Sequence, residues 1–148
     1  MEQIKSIYIH IPFCESICSY CDFCKLFYNK NLAKAYLKEL EKEIKNNYKG
    51  EEISTIYIGG GTPTSLSYEE LSFLFSMLKN IKLANNYEFT IEANVDSLNI
   101  DKIKLLKDNK VNRISIGVET FDDNYQKLIN RKVSFKTLED TIELLRDN

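Results

Sequence analysis

The sequence has no excess of charge of one sign. Twenty Lys and Arg stand against 22 Asp and Glu, a net charge of −2 over 148 residues. The two signs are interspersed, so there is no electrostatic case for nucleic acid or an anionic membrane as partner. Long apolar runs are also missing. The longest are strand-sized, and no segment is expected to cross a bilayer. The N-terminal Met1-Glu2-Gln3-Ile4-Lys5 lacks the apolar core of a secretory signal, and a reducing, cytoplasmic location is the expectation. No linker, low-complexity tract or internal repeat interrupts the chain. Histidine is nearly absent: His10 is the only one. A lone histidine is usually packed or hydrogen-bonded, although its position near the cysteines admits a supporting role there.

What is present is a cluster of cysteines. All four fall between Cys14 and Cys24, in Phe13-Cys14-Glu15-Ser16-Ile17-Cys18-Ser19-Tyr20-Cys21-Asp22-Phe23-Cys24. Disulfides inside so short a segment would hold no larger structure together. In a reducing compartment such a group reads as metal-binding or redox-active. Cys14, Cys18 and Cys21 supply three thiolates, one fewer than the four that usually close a [4Fe–4S] cluster. Three ligands leave one iron open to another group. The other reading is an all-thiolate zinc site that includes Cys24. Against it, structural zinc sites usually draw ligand pairs from two separate segments, and four thiolates this close in sequence strain a tetrahedron. Tyr20 and Phe23 are placed to shield a cluster from water.

Strand and helix patterns alternate along the chain. Ile7 to Ile11 alternates with period two, as a strand should. Asn31 to Tyr48 is predicted helical, with Leu32, Tyr36, Leu37, Leu40 and Ile44 as its apolar stripe and Gly50 as a stop. Ile53 to Ile58 is a second strand, ended by Gly59-Gly60-Gly61. Ser67 with Glu70 forms a capping box that opens a helix whose stripe is Leu71, Leu74, Phe75 and Leu78. Tyr87 to Ala93 is a third strand. A helix from about Asn99 to Asp108 turns Ile103 and Leu106 inward. Arg113 to Val118 is a fourth strand, and helical patterns cover Asp123 to Ile129 and Ser134 to Arg146. Four successive βα units predict an α/β fold with parallel strands. A closed eight-fold barrel needs about 250 residues, so the chain can form only part of one.

Strand parity separates two faces. Ile7, Ile9 and Ile11 oppose Tyr8 and His10. Phe89, Ile91 and Ala93 oppose Glu88, Thr90, Glu92 and Asn94. Ile114, Ile116 and Val118 oppose Arg113, Ser115, Gly117 and Glu119. The apolar face packs on helices. The polar face then lines a lumen that holds something polar, because unpartnered charge is costly to bury. An open sheet with that face in solvent is the competing arrangement. Parallel sheets are almost always covered on both sides.

Gly59-Gly60-Gly61-Thr62-Pro63 lies between a strand and a capped helix. Glycines expose backbone N–H groups and let a ligand approach closely. The loop is neither a P-loop nor G-x-G-x-x-G. Taken alone it is more often a turn than a site, but it stands at a strand's C-terminal end, where α/β folds bind ligands.

Together these residues resemble the radical S-adenosylmethionine (SAM) superfamily. Within it they are similar to the oxygen-independent coproporphyrinogen III oxidase family, which includes a heme-chaperone branch. The marks are Tyr8-Ile9-His10-Ile11-Pro12-Phe13-Cys14, Tyr20-Cys21-Asp22-Phe23, Gly59 to Thr64, Glu92-Ala93-Asn94, Asn112 to Glu119, and Asn130-Arg131. The resemblance implies a partial parallel (β/α) barrel of the radical SAM type. Residues 1–148 would be its N-terminal part, without the later strands and the C-terminal domain.

It also implies roles. Cys14, Cys18 and Cys21 would ligate a [4Fe–4S] cluster whose free iron SAM chelates. Tyr8 would lie against SAM, and Gly60, Gly61 and Thr62 would hold its methionine part. Glu92 would accept hydrogen bonds from it, Glu119, already on the inward face by strand parity, would join these cofactor-binding residues, and Arg131 would pair with its carboxylate. Family chemistry is reductive cleavage of SAM to a radical that abstracts hydrogen from substrate. The implied partners are SAM, a porphyrin or heme, and an electron donor such as flavodoxin or ferredoxin.

The sequence departs from the family pattern in places. Glu119 stands where glutamine is usual, and Val133 where a histidine commonly follows the arginine. Cys24 falls three residues after Cys21, whereas the oxidase has its extra cysteine two after the third ligand. The absent C-x-C, and a motif that begins almost at Met1, favour the heme-chaperone branch over the oxidase. A non-enzymatic heme-binding or heme-handing protein that keeps the cluster is the competing class, and an inactive fragment is a third reading.

Overall fold

The computed structural model describes residues 4–131 and 133–148. The first three residues of the N-terminal segment considered above therefore lie outside the description. The main sheet has four strands, all parallel, in the order β1-β4-β5-β6: β1 Ser6–Ile11, β4 Glu52–Gly60, β5 Lys82–Asn94 and β6 Arg113–Gly117. Two short strands between β1 and β4, β2 Phe13–Cys14 and β3 Leu26–Phe27, pair with each other in parallel. The helices are α1 Lys30–Asn47, α2 Tyr68–Leu78, α3 Ile100–Asp108, α4 Asp123–Leu128 and α5 Phe135–Asp147. No helix among the described residues is long and apolar enough to cross a membrane.

The parity argument holds where the strands are straight. Ile9, Ile11, Ile56, Ile58, Phe89, Ile91 and Ala93 are all buried. All but Ala93 meet Leu37 of α1 and Leu71, Leu74 and Phe75 of α2 in one core. Covering a parallel sheet with helices removes these side chains from water, and each fully buried aliphatic contributes on the order of 2 kcal/mol. The opposite face carries one row in register across all four strands: Tyr8, Tyr57, Thr90 and Arg113. That face is unevenly covered, with Thr90 fully buried and Tyr8 59% exposed.

Local signals explain the helix ends. Ser67 caps α2 by accepting from the Glu70 N–H, and Glu70 answers by accepting from the Ser67 N–H, the complete capping box. Asn29, Asn99, Asp122 and Ser134 cap α1, α3, α4 and α5 through their side chains.

The structure corrects four details. In α1 the buried positions are Ala33, Leu37 and Leu40, while Leu32 is exposed. Leu32 has the apolarity expected of the stripe, but small Ala33 is the residue that fits against the sheet. The third strand of the main sheet begins at Lys82, five residues before the alternating stretch. The early segment pairs Lys82 with Glu52 and Leu83 with Ile53 ahead of a register shift, so simple alternation missed it. The fourth ends at Gly117, so Val118 and Glu119 lie beyond the sheet. Tyr20 and Phe23 are exposed rather than closed over the cysteines.

Candidate functional site

The site is assembled from the C-terminal ends of the parallel strands and the loops that follow them. A cavity of about 240 Å³ is lined by Cys14, Cys18 and Cys21, by Gly60, Gly61 and Thr62, and by Glu92, Asn94, Glu119 and Arg131. The structure thus brings nine of the ten residues singled out in the sequence to one place. Tyr8 is the exception. It lines a neighbouring cavity of about 300 Å³ between β1 and α1 and connects to the site through others. Its ring stacks on Tyr57, with centroids 6.0 Å apart, and Tyr57 donates to Glu92 Oε1 at 2.7 Å.

All four cysteines are free thiols, with Cys14 buried and Cys24 exposed. Cys24 is not among the residues lining the cavity. The cysteine loop is anchored on both sides: the Leu26 N–H donates to the Pro12 carbonyl at 2.6 Å, and the Tyr28 N–H to the Cys14 carbonyl at 2.8 Å. Lys25 Nζ turns back to the Cys21 carbonyl. Burial pushes the Cys14 thiol above its ordinary range. The Thr62 hydroxyl, 3.8 Å from the sulfur, works in the opposite direction. Among the described residues, no three His, Cys, Asp or Glu groups converge on a single metal ion. A [4Fe–4S] cube does not require that convergence, because each thiolate binds its own iron.

The glycine loop fits a ligand cradle. Gly60 has φ +121°, a backbone region that side chains disfavour, and a Cβ there would meet the His10 ring at 2.8 Å. At Gly61 a Cβ would sit 2.8 Å from Cys14 Sγ and 2.8 Å from the Phe13 carbonyl oxygen. The loop therefore lies directly against the first cysteine, with no room for a side chain. The Gly60 N–H donates to Glu92 Oε2 at 3.1 Å, so both carboxylate oxygens of Glu92 have donors. Proximity to this acid and partial burial push the Tyr57 phenol above its usual range.

Arg131 is 7% exposed. Its Nη2 donates to the Gly117 carbonyl at 2.7 Å and to Asn94 Oδ1 at 3.2 Å, and Nη1 lies 3.8 Å from Glu119 Oε1. Nε is buried with no hydrogen-bond partner among the described residues. An unpartnered guanidinium nitrogen beside a cavity fits a group that takes an anion. Asn94 continues the chain inward, donating from Nδ2 to Thr62 Oγ1 at 3.0 Å. A polar relay therefore runs from Arg131 through Asn94 and Thr62 to the Cys14 sulfur. Glu119 adopts φ +65°, which turns the chain after β6, and its side chain is 40% exposed. Burial first, and then the Glu119 carboxylate, push the Tyr20 phenol up.

Sequence reasoning did not single out Tyr57 or Asn94 as site residues. Tyr57 was detectable only as the residue facing away from Ile56 and Ile58, and its register with Tyr8 comes from the fold. Asn94 was visible only as part of Glu92-Ala93-Asn94, and its bridging position depends on where Arg131 arrives 37 residues later. His10 bonds outward, to Tyr8 and to the Cys24 carbonyl, instead of packing in the core.

Comparisons with known proteins bear on the family and the fold. The chain is 44% identical over 149 residues to the heme chaperone HemW of Bacillus subtilis (strain 168), which covers 97% of this chain and 39% of the relative. It is 34% identical over 136 residues to the oxygen-independent coproporphyrinogen III oxidase of Escherichia coli (strain K12), covering 88% of this chain and 30% of that one. The chain thus spans well under half the length of these curated relatives. Among solved structures, the coproporphyrinogen III oxidase HemN from Escherichia coli, described as a radical SAM enzyme, superposes with a TM-score of 0.90 at 31% identity. That match covers 99% of this chain and 35% of the other, so the four parallel βα units correspond to part of its fold. Native anSMEcpe with bound AdoMet shares the fold at TM-score 0.57 and 19% identity, over 96% of this chain and 40% of that one. The profile of the Radical SAM superfamily matches residues 8–148, and the chain belongs to that superfamily.

Proposed function

We propose that this chain is the cofactor-binding portion of a radical SAM protein of the heme-chaperone type, holding a [4Fe–4S] cluster and S-adenosylmethionine. The observation that carries the reading is the single cavity shared by Cys14, Cys18 and Cys21, the Gly60–Thr62 loop, Glu92 and Arg131. In this reading the three thiolates hold the cluster and leave one iron for SAM. When bound, the pair supplies one-electron cleavage of the sulfonium and so a carbon-centred radical.

The chain's own residues bind and position. Thr62 donates toward the Cys14 sulfur and steadies that thiolate. Gly60 and Gly61 let the methionine part of SAM approach the backbone. Glu92, oriented by Tyr57 and Gly60, accepts from the SAM amine. Arg131, held by Gly117 and Asn94, pairs its remaining nitrogens with the SAM carboxylate. Tyr8 acts on SAM through its stack on Tyr57. Glu119, which contacts Arg131 only at 3.8 Å, yields that guanidinium to the ligand.

Higher identity to the HemW relatives, 44% and 40% for the first two against 34% and 37% for two oxidases, supports the chaperone branch, with heme or a porphyrin as the molecule handled. The second reading is the coproporphyrinogen oxidase itself, supported by the TM-score of 0.90 to HemN. Heme transfer without SAM cleavage would favour a non-catalytic carrier of the same cluster.

Anaerobic reconstitution with iron and sulfide, followed by reduction and electron paramagnetic resonance with and without SAM, tests the proposal. A [4Fe–4S]⁺ signal that changes on SAM addition is expected. A signal indifferent to SAM overturns the SAM half of the reading, and absence of any cluster overturns it all.

A further inference from the structure

The polypeptide from Asp22 to Lys38 leaves the cysteine loop, pairs with its start through Leu26–Phe27 and enters α1, and its charge differs from that of the chain as a whole. It carries Lys25, Lys30, Lys34 and Lys38 against Asp22 alone, in a chain of net charge −2. None of these lysines joins an ion pair among the described residues. Lys30, Lys34 and Lys38 follow one another at i, i+4 spacing along α1. Like charges at that spacing disfavour the helix, so the fold gains nothing from the row. Beside it a hollow of about 410 Å³ runs between α1 and α2, lined by the three lysines, Leu37, Phe73 and the Ser67–Glu70 turn. Glu70 is engaged with the Ser67 N–H and the Tyr28 hydroxyl, and Glu69 offsets only part of the charge.

The same segment exposes large apolar side chains. Phe23 is 74% exposed, Phe27 64%, and Leu26 and Leu32 nearly half. Phe23, Leu26 and Phe27, three such side chains within five residues, mark a contact surface more than a soluble face, whereas Leu32 lies on the other flank of α1 from the lysine row. Phe27 is also the β-ladder partner of Cys14. Adjacent strands lie about 4.8 Å apart, so the backbone that carries Phe27 stands one strand spacing from the backbone of the first cysteine.

We infer that the Phe23–Lys38 surface is the docking site of an acidic one-electron carrier protein that reduces the cluster. The inference rests on the cluster reading above, which requires an electron and names no route for it. The apolar centre at Phe27 gives contact, and the lysine rim steers a negatively charged carrier and sets its orientation. In the step itself no bond forms or breaks: the carrier is oxidised by one electron and the cluster goes from 2+ to 1+.

The test uses a purified acidic flavodoxin and the intact chain. Binding is measured first, by calorimetry at low and at 0.3 M salt. The triple variant Lys30→Glu, Lys34→Glu, Lys38→Glu is compared with the wild type and with a control carrying Lys104→Glu and Lys136→Glu, both exposed and on other helices. Expected are at least a tenfold weaker Kd for the triple variant, little change for the control, and loss of wild-type affinity in high salt. Stopped-flow reduction of the reconstituted cluster then separates the two ideas: flavodoxin hydroquinone reduces the triple variant at least tenfold more slowly, while dithionite reduces both alike. Equal binding by wild type and triple variant, or equal loss in the control, overturns the docking site. Dimerisation of the chain through this face in place of carrier binding also overturns it. Failure to assemble a cluster refutes the cluster reading and leaves the binding result to stand or fall separately.

Discussion

His10 Nε2 lies 3.0 Å from the backbone carbonyl oxygen of Cys24, fourteen residues further along the chain. A carbonyl can only accept, so Nε2 carries the hydrogen and Nδ1 is left to accept from the Tyr8 hydroxyl at 3.1 Å. One imidazole thereby ties the far end of the cysteine loop to β1 and fixes the Tyr8 ring. Replacing His10 with Leu removes both bonds and leaves the loop held by its β2–β3 ladder and by its bonds to the Leu128–Asn130 segment. The expected result is a stability loss of about 1 kcal/mol in urea unfolding, with faster proteolysis between residues 15 and 25. Unchanged proteolysis would mean that the ladder and the contacts to Leu128–Asn130 hold the loop without His10.

Two glycines separate packing from backbone strain. At Gly61 a Cβ would collide with Cys14 Sγ, the Phe13 carbonyl oxygen and the Pro12 carbonyl carbon, all within 2.9 Å. Two of the three are backbone and cannot swing away. Gly61→Ala should cost about 1–3 kcal/mol and reduce iron retained after reconstitution severalfold, because it displaces Cys14. Gly50→Ala meets no heavy atom within 4 Å and is strained only by φ +96°. It should cost about 1 kcal/mol and leave iron content unchanged. Equal iron contents in the two variants would sink the idea that Gly61 seats Cys14.

Most of the frame was readable in the sequence, because alternation in Ile7–Ile11 and Phe89–Ala93 sorts core from site directly, and Ser67 with Glu70 fixes a helix start, whereas the register shift after Ile53 breaks the period in Ile53–Ile58. The cavity residues were readable too, since they follow strand ends. What escaped depends on long-range placement. No local pattern shows that Tyr57 reaches across to Glu92, or that Asn94 sits between Arg131 and Thr62. Parity carried past Gly117 assigned Glu119 a strand position, yet its φ of +65° puts it in a turn. The pairing of Leu26–Phe27 with Phe13–Cys14 was invisible because two-residue strands have no period to detect.

Tyr28 links the loop to α2, donating to Glu70 Oε2 at 2.9 Å. Burial first, and then this carboxylate, push its phenol up to about 12. The folded state therefore holds the proton more tightly than the unfolded chain, whose phenol ionises near its ordinary value of about 10. The stabilisation is complete below that value and is lost as pH rises toward and through 12. The wild-type urea midpoint should fall across pH 10–12 more steeply than that of Tyr28→Phe, with the two curves parallel between pH 7 and 9. Curves that stay parallel throughout would show that Tyr28 does not contribute to the alkaline limb.

Cys24 and Cys21 provide a direct test of ligand assignment. Cys24 is exposed, and Cys21 lines the cavity with Cys14 and Cys18. Cys24→Ser should keep its full complement of iron and sulfide, whereas Cys21→Ser should lose most of it. If both variants lose metal equally, the four-thiolate arrangement gains ground over the three-thiolate one.

Arg131 is the costliest residue of the site to place, a guanidinium that is 7% exposed. Its Nη2 serves the Gly117 carbonyl and Asn94 Oδ1, and Asn94 in turn serves Thr62. Arg131→Met relieves the buried charge but leaves those acceptors without a donor, and each unsatisfied group costs about 1–3 kcal/mol. The second effect should win, lowering the urea midpoint. Glu119→Gln alters only a 3.8 Å contact whose acid is 40% exposed, a pair worth less than about 1 kcal/mol, so its midpoint should barely move. Equilibrium dialysis of the reconstituted protein with SAM separates structure from function. Arg131→Met should lose binding, while Glu119→Gln should match or exceed the wild type, because the carboxylate competing for the guanidinium is gone. Weaker SAM binding by Glu119→Gln would show that the acid itself contacts the ligand and would overturn the competition argument.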